Sequence, residues 1–300
     1  MSLSYLEANA RERIAHLLDV GSFEEFLPPA KRIVSPHLGQ LDAPVSFDDG
    51  VVVGRGTLQG LTVFAAAQEG GFMGGAVGEV HGAKLVGLLK RAVQDGAEAV
   101  LLLLETGGVR LHEANAGLIA VSEVMRAVLD TRAQGVAVIV LVGGSNGCFG
   151  GMGIVARCAN VVIMSEEGRL AMSGPEVIET ANGVEEFDSR DRALVWRTSG
   201  GKHRYLLGDC QQIVADDVAA FRAAALAAVQ TCKSASTALT LAGLEAEQAM
   251  LTQRIARFGT LSEPQDIWVA LGLSATQAQQ VPMLEADAFV ALAANYRVKG

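Results

Sequence analysis

Two apolar runs in this 300-residue sequence pass straight into glycine-rich turns and then into helix-forming segments. The first runs from Ala99 to Leu104 and continues Glu105-Thr106-Gly107-Gly108-Val109-Arg110. The second runs from Val136 to Val142 and continues Gly143-Gly144-Ser145-Asn146-Gly147-Cys148-Phe149-Gly150-Gly151-Met152-Gly153. Backbone N–H groups at a helix start have no partner within the helix and are aimed at negative charge. Glycine lets a ligand approach that backbone closely and allows positive φ. Two such turns meeting at one point would form an oxyanion hole, which stabilises an enolate or a tetrahedral oxyanion. Gly107, Gly108 and Val109 are the candidate donors on one side, and Gly150 and Gly151 on the other.

Other residue types near these turns are ambiguous. Arg110 could hold the turn's shape or pair with a carboxylate. His81 and His112 follow glycine turns and could act as acid or base, or simply cap and pack. Cys148 lies inside the second turn, but a nucleophilic cysteine wants a histidine beside it, and none is identifiable. No turn fits the dinucleotide fingerprint or carries the Gly-Lys-Ser/Thr of a P-loop. None of the five histidines pairs at metal-ligand spacing, which argues against a metal site.

The elements around the turns alternate. Strand 99–104, a helix near 112–130, strand 136–142, a helix near 150–157 and strand 160–164 predict an α/β layer with parallel strands. Ligands in such folds bind at the carboxyl ends of the strands. Upstream, apolar spacing predicts a helix over 3–18, a Pro-containing connector, and short strands near 51–53 and 61–64 with Gly54, Gly56 and Gly60 as hairpin turns. A third glycine cluster, Phe72-Met73-Gly74-Gly75, precedes a helix that ends near Val93. From about Asp216 the chain reads as mostly helical.

Half the sequence is hydrophobic and the mean hydropathy is +0.31. No apolar stretch approaches the roughly 20 residues of a spanning helix, so these runs read as strands buried on both faces. The N-terminus has neither the basic region nor the apolar core of a signal peptide. Four scattered cysteines form no C-x-x-C pair and read as reduced thiols of a cytoplasmic protein. A net charge of −9 disfavours nucleic acid and anionic membranes as partners. The one basic stretch, with Arg190, Arg192, Lys202 and Arg204, is the candidate for meeting phosphate or an acidic carrier protein.

Several of these segments carry a family resemblance. Gly107–Glu113 resembles the Gly-Gly-Ala-Arg loop of biotin-dependent carboxyltransferases. Phe72–Gly78 is similar to the preceding glycine cluster of acetyl-CoA carboxylase carboxyltransferase beta subunits. Ala10–Ile14 with Leu17–Phe23 resembles the opening helix of propionyl-CoA carboxylase beta chains. Gly150-Gly151 through Ala171–Ile178 resembles the crotonase-superfamily core. The sequence has no zinc-ribbon cysteines and room for one crotonase-like half. A single half with a helical tail resembles the beta subunits of malonate decarboxylases.

That resemblance implies a crotonase-like ββα spiral with a helical C-terminal extension, divided as 1–45, 46–230 and 231–300. It also implies decarboxylation of a malonyl-thioester to the acetyl-thioester through an enolate held by the two turns. Phe72, Met73, Gly74, Gly75 and Arg110 would shape the thioester pocket. The thioester would arrive on a phosphopantetheine-type group or CoA, with no cofactor held tightly by this chain. A gamma subunit would complete the site, beside an acyl carrier and a transferase subunit.

Rival readings remain at this level. A biotin-linked carboxyltransferase would use the same turns. A stand-alone crotonase would want an acidic base near the second turn, for which Glu166, Glu167 and Glu176 are candidates. A non-catalytic scaffold would have no need of either turn.

Overall fold

The computed structural model describes residues 3–298. A seven-stranded sheet follows chain order. Its strands are β1 (Glu24–Glu25), β2 (Val51–Leu58), β3 (Leu61–Gln68), β4 (Ala99–Leu103), β5 (Ala137–Val142), β6 (Val161–Ser165) and β7 (Gln212–Val214). The first three pair antiparallel and β3 through β7 pair parallel.

The apolar runs of β4 and β5 alternate between two cores. Val100 and Leu102, with Val138 and Val140, face a layer made by α2 (Glu79–Gln94), α3 (Asn115–Ala133) and α4 (Gly151–Arg157). Leu101 and Leu103, with Ile139 and Leu141, face α1 (Ala10–Leu17) and α8 (Val218–Lys233). A parallel sheet covered on both sides needs continuous rather than alternating hydrophobicity, which is what these runs supply. Between α4 and α8 lie α5 (Pro175–Asn182), α6 (Arg192–Ser199) and α7 (Gly201–Leu206).

Past each strand end the chain makes a second, smaller set of pairings. Parallel bridges join Val77 to Val109, Thr106 to Cys148, and Cys148 to Leu170. Each repeat thus contributes a strand to the main sheet, a short bridge to the second layer, and a helix. That is the expected crotonase-like spiral.

The tail comprises α9 (Leu241–Phe258), α10 (Pro264–Leu271), α11 (Ala275–Gln280) and α12 (Ala286–Ala293). Trp268 and Phe289 insert it into the core beside Tyr205 and Ile213. Among the described residues no helix is long and apolar enough to cross a membrane.

Two expectations are corrected here. The first helix begins at Ala10 rather than residue 3, because Asn9 caps it: its side chain accepts from the Arg11 and Glu12 N–H groups, and Glu12 reaches back to the Asn9 N–H. Gly54 and Gly56 lie inside β2, and only Gly60, at φ 77°, sits in the hairpin turn. Gly54 is instead a point of close approach, since a Cβ there would lie 2.6 Å from the Phe23 ring.

Candidate active site

The β4 and β5 turns touch. A Cβ built on Gly108 would lie 3.2 Å from the Gly150 Cα, and one built on Gly150 would lie 3.0 Å from the Gly108 Cα. Both residues hold positive φ, 118° and 63°. Side chains at either position would push the turns apart.

Within this contact the backbone donors divide. The Gly107 N–H donates to the Gly74 carbonyl at 2.8 Å, the Gly108 N–H to Thr106 Oγ1 at 2.9 Å, and the Gly150 N–H to the Met172 carbonyl at 2.9 Å. Among the described residues the Val109 and Gly151 N–H groups donate to nothing. Gly151 opens α4, and its cap, Gly150, has no side chain to serve it. Three of the five candidate donors therefore hold the turns in shape, and the remaining two are free, one on each side.

The third glycine cluster braces the first turn. Met73, Gly74 and Gly75 all adopt positive φ, of 51°, 63° and 68°. A Cβ on Gly75 would be driven into the Glu105 carbonyl oxygen. Phe72 lies over the Arg110 guanidinium, 5.4 Å from ring centroid to Cζ.

Arg110 itself faces away from the site. Its side chain is fully buried between Asp49 (2.9 Å) and Glu113 (3.0 Å), both also fully buried. Burial pushes the Asp49 carboxyl above its usual range against the pull of Arg110. Asp49 also accepts from the His81 N–H, and the His81 ring contacts Gln68 at 3.1 Å. Burial, reinforced by Arg110 and Lys84, drives the His81 pKa down to about 3, so its imidazole is neutral and structural. Cys148 is fully buried, and burial pushes its thiol up to about 12, which leaves it unreactive.

A cleft of about 590 Å³ opens beside the turns, bordered by Gly74, Gly107, Phe149, Arg169, Glu176 and Trp196. Arg190 and Arg192 also border it and are exposed. The other two members of the basic stretch are occupied elsewhere. Lys202 pairs with Glu166 at 2.8 Å and donates to the Pro282 and Leu284 carbonyls of the tail. Arg204 pairs with Asp209 at 3.2 Å and donates to the Thr198 carbonyl. Of the three acidic candidates only Glu176 borders the cleft; Glu166 and Glu167 line a neighbouring one with Trp268.

Glu105 belongs to the site but was not among the residues singled out by sequence. Its carboxylate, buried by the fold, pairs with Arg13 of α1 and accepts from Ser145 Oγ (3.1 Å) and the Asn146 N–H (3.2 Å). One side chain thereby ties the β4 turn to the β5 turn and to the first helix. The signal was present: a lone charge ends an otherwise unbroken apolar strand.

A parallel-sheet spiral with two glycine turns in contact is the architecture of a carboxyltransferase-type enzyme. The chain belongs to the carboxyl transferase domain family, which it matches over residues 7–230. It is 46% identical over 241 residues to a malonyl-S-ACP:biotin-protein carboxyltransferase of Malonomonas rubra, covering 76% of each chain. It is similar to a chain of the Pseudomonas malonate decarboxylase hetero-tetramer in complex with malonate, at 40% identity and a TM-score of 0.79, covering 88% of this chain and 94% of that one. It is 34% identical to a propionyl-CoA carboxylase beta chain of Saccharopolyspora erythraea, covering 67% of this chain and 36% of that longer relative.

Proposed function

We propose that this chain is the beta-type subunit of a malonate decarboxylase, acting on a malonyl-thioester carried by an acyl carrier subunit. The observation that carries this reading is the pair of free donors, Val109 and Gly151 N–H, on turns so close that a Cβ on Gly108 or Gly150 would press on the other's Cα.

The thioester carbonyl oxygen would accept from both. As the bond between the α-carbon and the carboxylate breaks, its electron pair flows into the thioester carbonyl and CO2 departs. The oxygen then carries the enolate's negative charge, and a proton added to the α-carbon gives the acetyl-thioester. Each preorganised donor contributes about 3–4 kcal/mol where such donors have been removed and rates compared.

The thioester's pantetheine arm would cross the 590 Å³ cleft, with exposed Arg190 and Arg192 at its edge toward an acidic carrier. Leu111, Leu118 and Ile119 are 81%, 53% and 63% exposed on the segment that follows Val109. Large apolar side chains left open beside a half-built site support a partner subunit that completes it. The gamma and transferase subunits are the partners this reading assigns. The family match ends at residue 230, but α8 runs on to Lys233, so the division from the tail is moved from 230 to just past that helix.

A second reading has one specific support: the Malonomonas relative is named as transferring carboxyl to a biotin protein. Both readings use the same enolate and differ in the fate of the carboxyl group. The deciding experiment incubates this chain, co-purified with its partner subunits, with a malonyl-thioester, with and without avidin. Release of CO2 and formation of acetyl-thioester that avidin does not affect supports direct decarboxylation. Inhibition by avidin moves the chain to the biotin-linked reading.

A further inference from the structure

We infer that Arg169 holds the β-carboxylate of the malonyl unit and so distinguishes a malonyl- from an acetyl-thioester, a reading that rests on the proposed malonyl-thioester chemistry. Arg169 is the least exposed of the three arginines that border the cleft, on the turn whose backbone pairs with the β5 turn: its carbonyl accepts from the Cys148 N–H at 2.8 Å. Its guanidinium lies over both the Trp196 and Phe149 rings, 4.9 and 5.7 Å from their centroids, and donates to the Ser145 carbonyl. Stacking fixes the planar fork without using its in-plane donors.

Among the described residues no carboxylate lies within 4.0 Å of this guanidinium, and its buried Nε has no hydrogen-bond partner. Arg13 and Arg110, the other guanidiniums built into this region, are each ion-paired. A half-buried cation without a counter-ion is costly unless a ligand supplies one. The cleft as a whole asks for an anion: Arg169, Arg190 and Arg192 face it against Glu176 alone, in a chain of net charge −9.

Exposure separates the positions suited to two anions of the substrate. Arg190 and Arg192 are exposed, where a pantetheine phosphate would pass, while Arg169 is half-buried against Ser145 and Phe149. The carboxylate loses its charge as CO2 forms, so the grip acts in the ground state and fades in the transition state. Removing it should therefore raise KM for the malonyl-thioester more than it lowers kcat.

The test uses the assembled complex carrying Arg169→Met or Arg169→Lys, with binding of malonyl- and acetyl-thioesters of the same pantetheine arm measured side by side. Both substitutions spare the main-chain bonds of residue 169, and circular dichroism checks the fold. Arg169→Met should weaken malonyl-thioester binding roughly 10- to 100-fold, the range for a lost charge-assisted hydrogen bond, and leave acetyl-thioester binding unchanged. Arg169→Lys should restore part of the preference. Equal weakening of both ligands would overturn the assignment while leaving the malonyl-thioester reading intact. A wild-type complex that binds and turns over neither thioester would sink both.

Discussion

The two glycine turns are held together by side chains from elsewhere in the fold, and Glu105 is the clearest of them. It is 4% exposed, ion-paired to an Arg13 that is 1% exposed, and bonded to Ser145 and Asn146 across the turn contact. Removing one partner of such a pair leaves the other charge buried, which costs about 3–5 kcal/mol. Glu105→Ala should therefore lower the midpoint of denaturant unfolding markedly. Glu105→Gln, which keeps acceptors for Ser145 and Asn146, should fold better but turn over more slowly. If Glu105→Gln matches wild type in both unfolding midpoint and kcat, Glu105 does not fix the spacing of the turns. Arg110 shows the limit of sequence here: its position beside a glycine turn suited substrate contact as well as structure, and only Asp49, distant in sequence, decides between them.

Among the elements, the main parallel strands were legible because burial on both faces leaves an unbroken apolar run. Boundaries depended on local chemistry: the Asn9 cap moved the first helix, and Gly54 and Gly56 proved to be strand residues facing Phe23 and Leu18 rather than turns. The tail's docking was not legible, because it depends on side chains far apart in sequence. Trp268 of α10 donates to His203 Nδ1 of α7 at 3.1 Å. Burial, with help from Arg204, lowers the His203 pKa to about 3.

His203 and His81 are thus both neutral in the fold, whereas in the unfolded chain a histidine takes up a proton near pH 6.5. Their contribution is intact above pH 6.5 and is lost progressively as the pH falls toward 3, by on the order of 1 kcal/mol per pH unit each. Unfolding midpoints should fall between pH 6.5 and 5, above the range where carboxylates titrate. His81→Gln and His203→Gln should each flatten that dependence. An unchanged slope in both variants would remove the histidines as its cause.

At the scale of the whole molecule, the proposed reading makes the chain one half of a site that a partner completes. The proposed donors, the Val109 and Gly151 N–H groups, lie at a turn contact flanked by exposed Leu111, Leu118 and Ile119, and the cleft gathers cations in an acidic protein. The sequence made both glycine turns visible, but not which N–H groups they spend on themselves. That depends on the Gly74 and Met172 carbonyls, which only the assembled spiral brings into place.

The proposed chemistry rests most heavily on the Gly151 N–H as a donor to the enolate, and proline can delete that one hydrogen. Gly151 is the first residue of α4, where proline is tolerated because no intrahelical bond is lost. A Cβ there would lie 2.7 Å from Val121 Cγ1, so the substitution is made in a Val121→Ala background. Gly151→Ala in the same background is the control, since it adds the Cβ but keeps the N–H. The measurement is kcat for malonyl-thioester decarboxylation by the two assembled complexes. If that N–H stabilises the enolate, the proline complex turns over roughly 100- to 1,000-fold more slowly than the alanine complex. Equal rates from two folded complexes would contradict it.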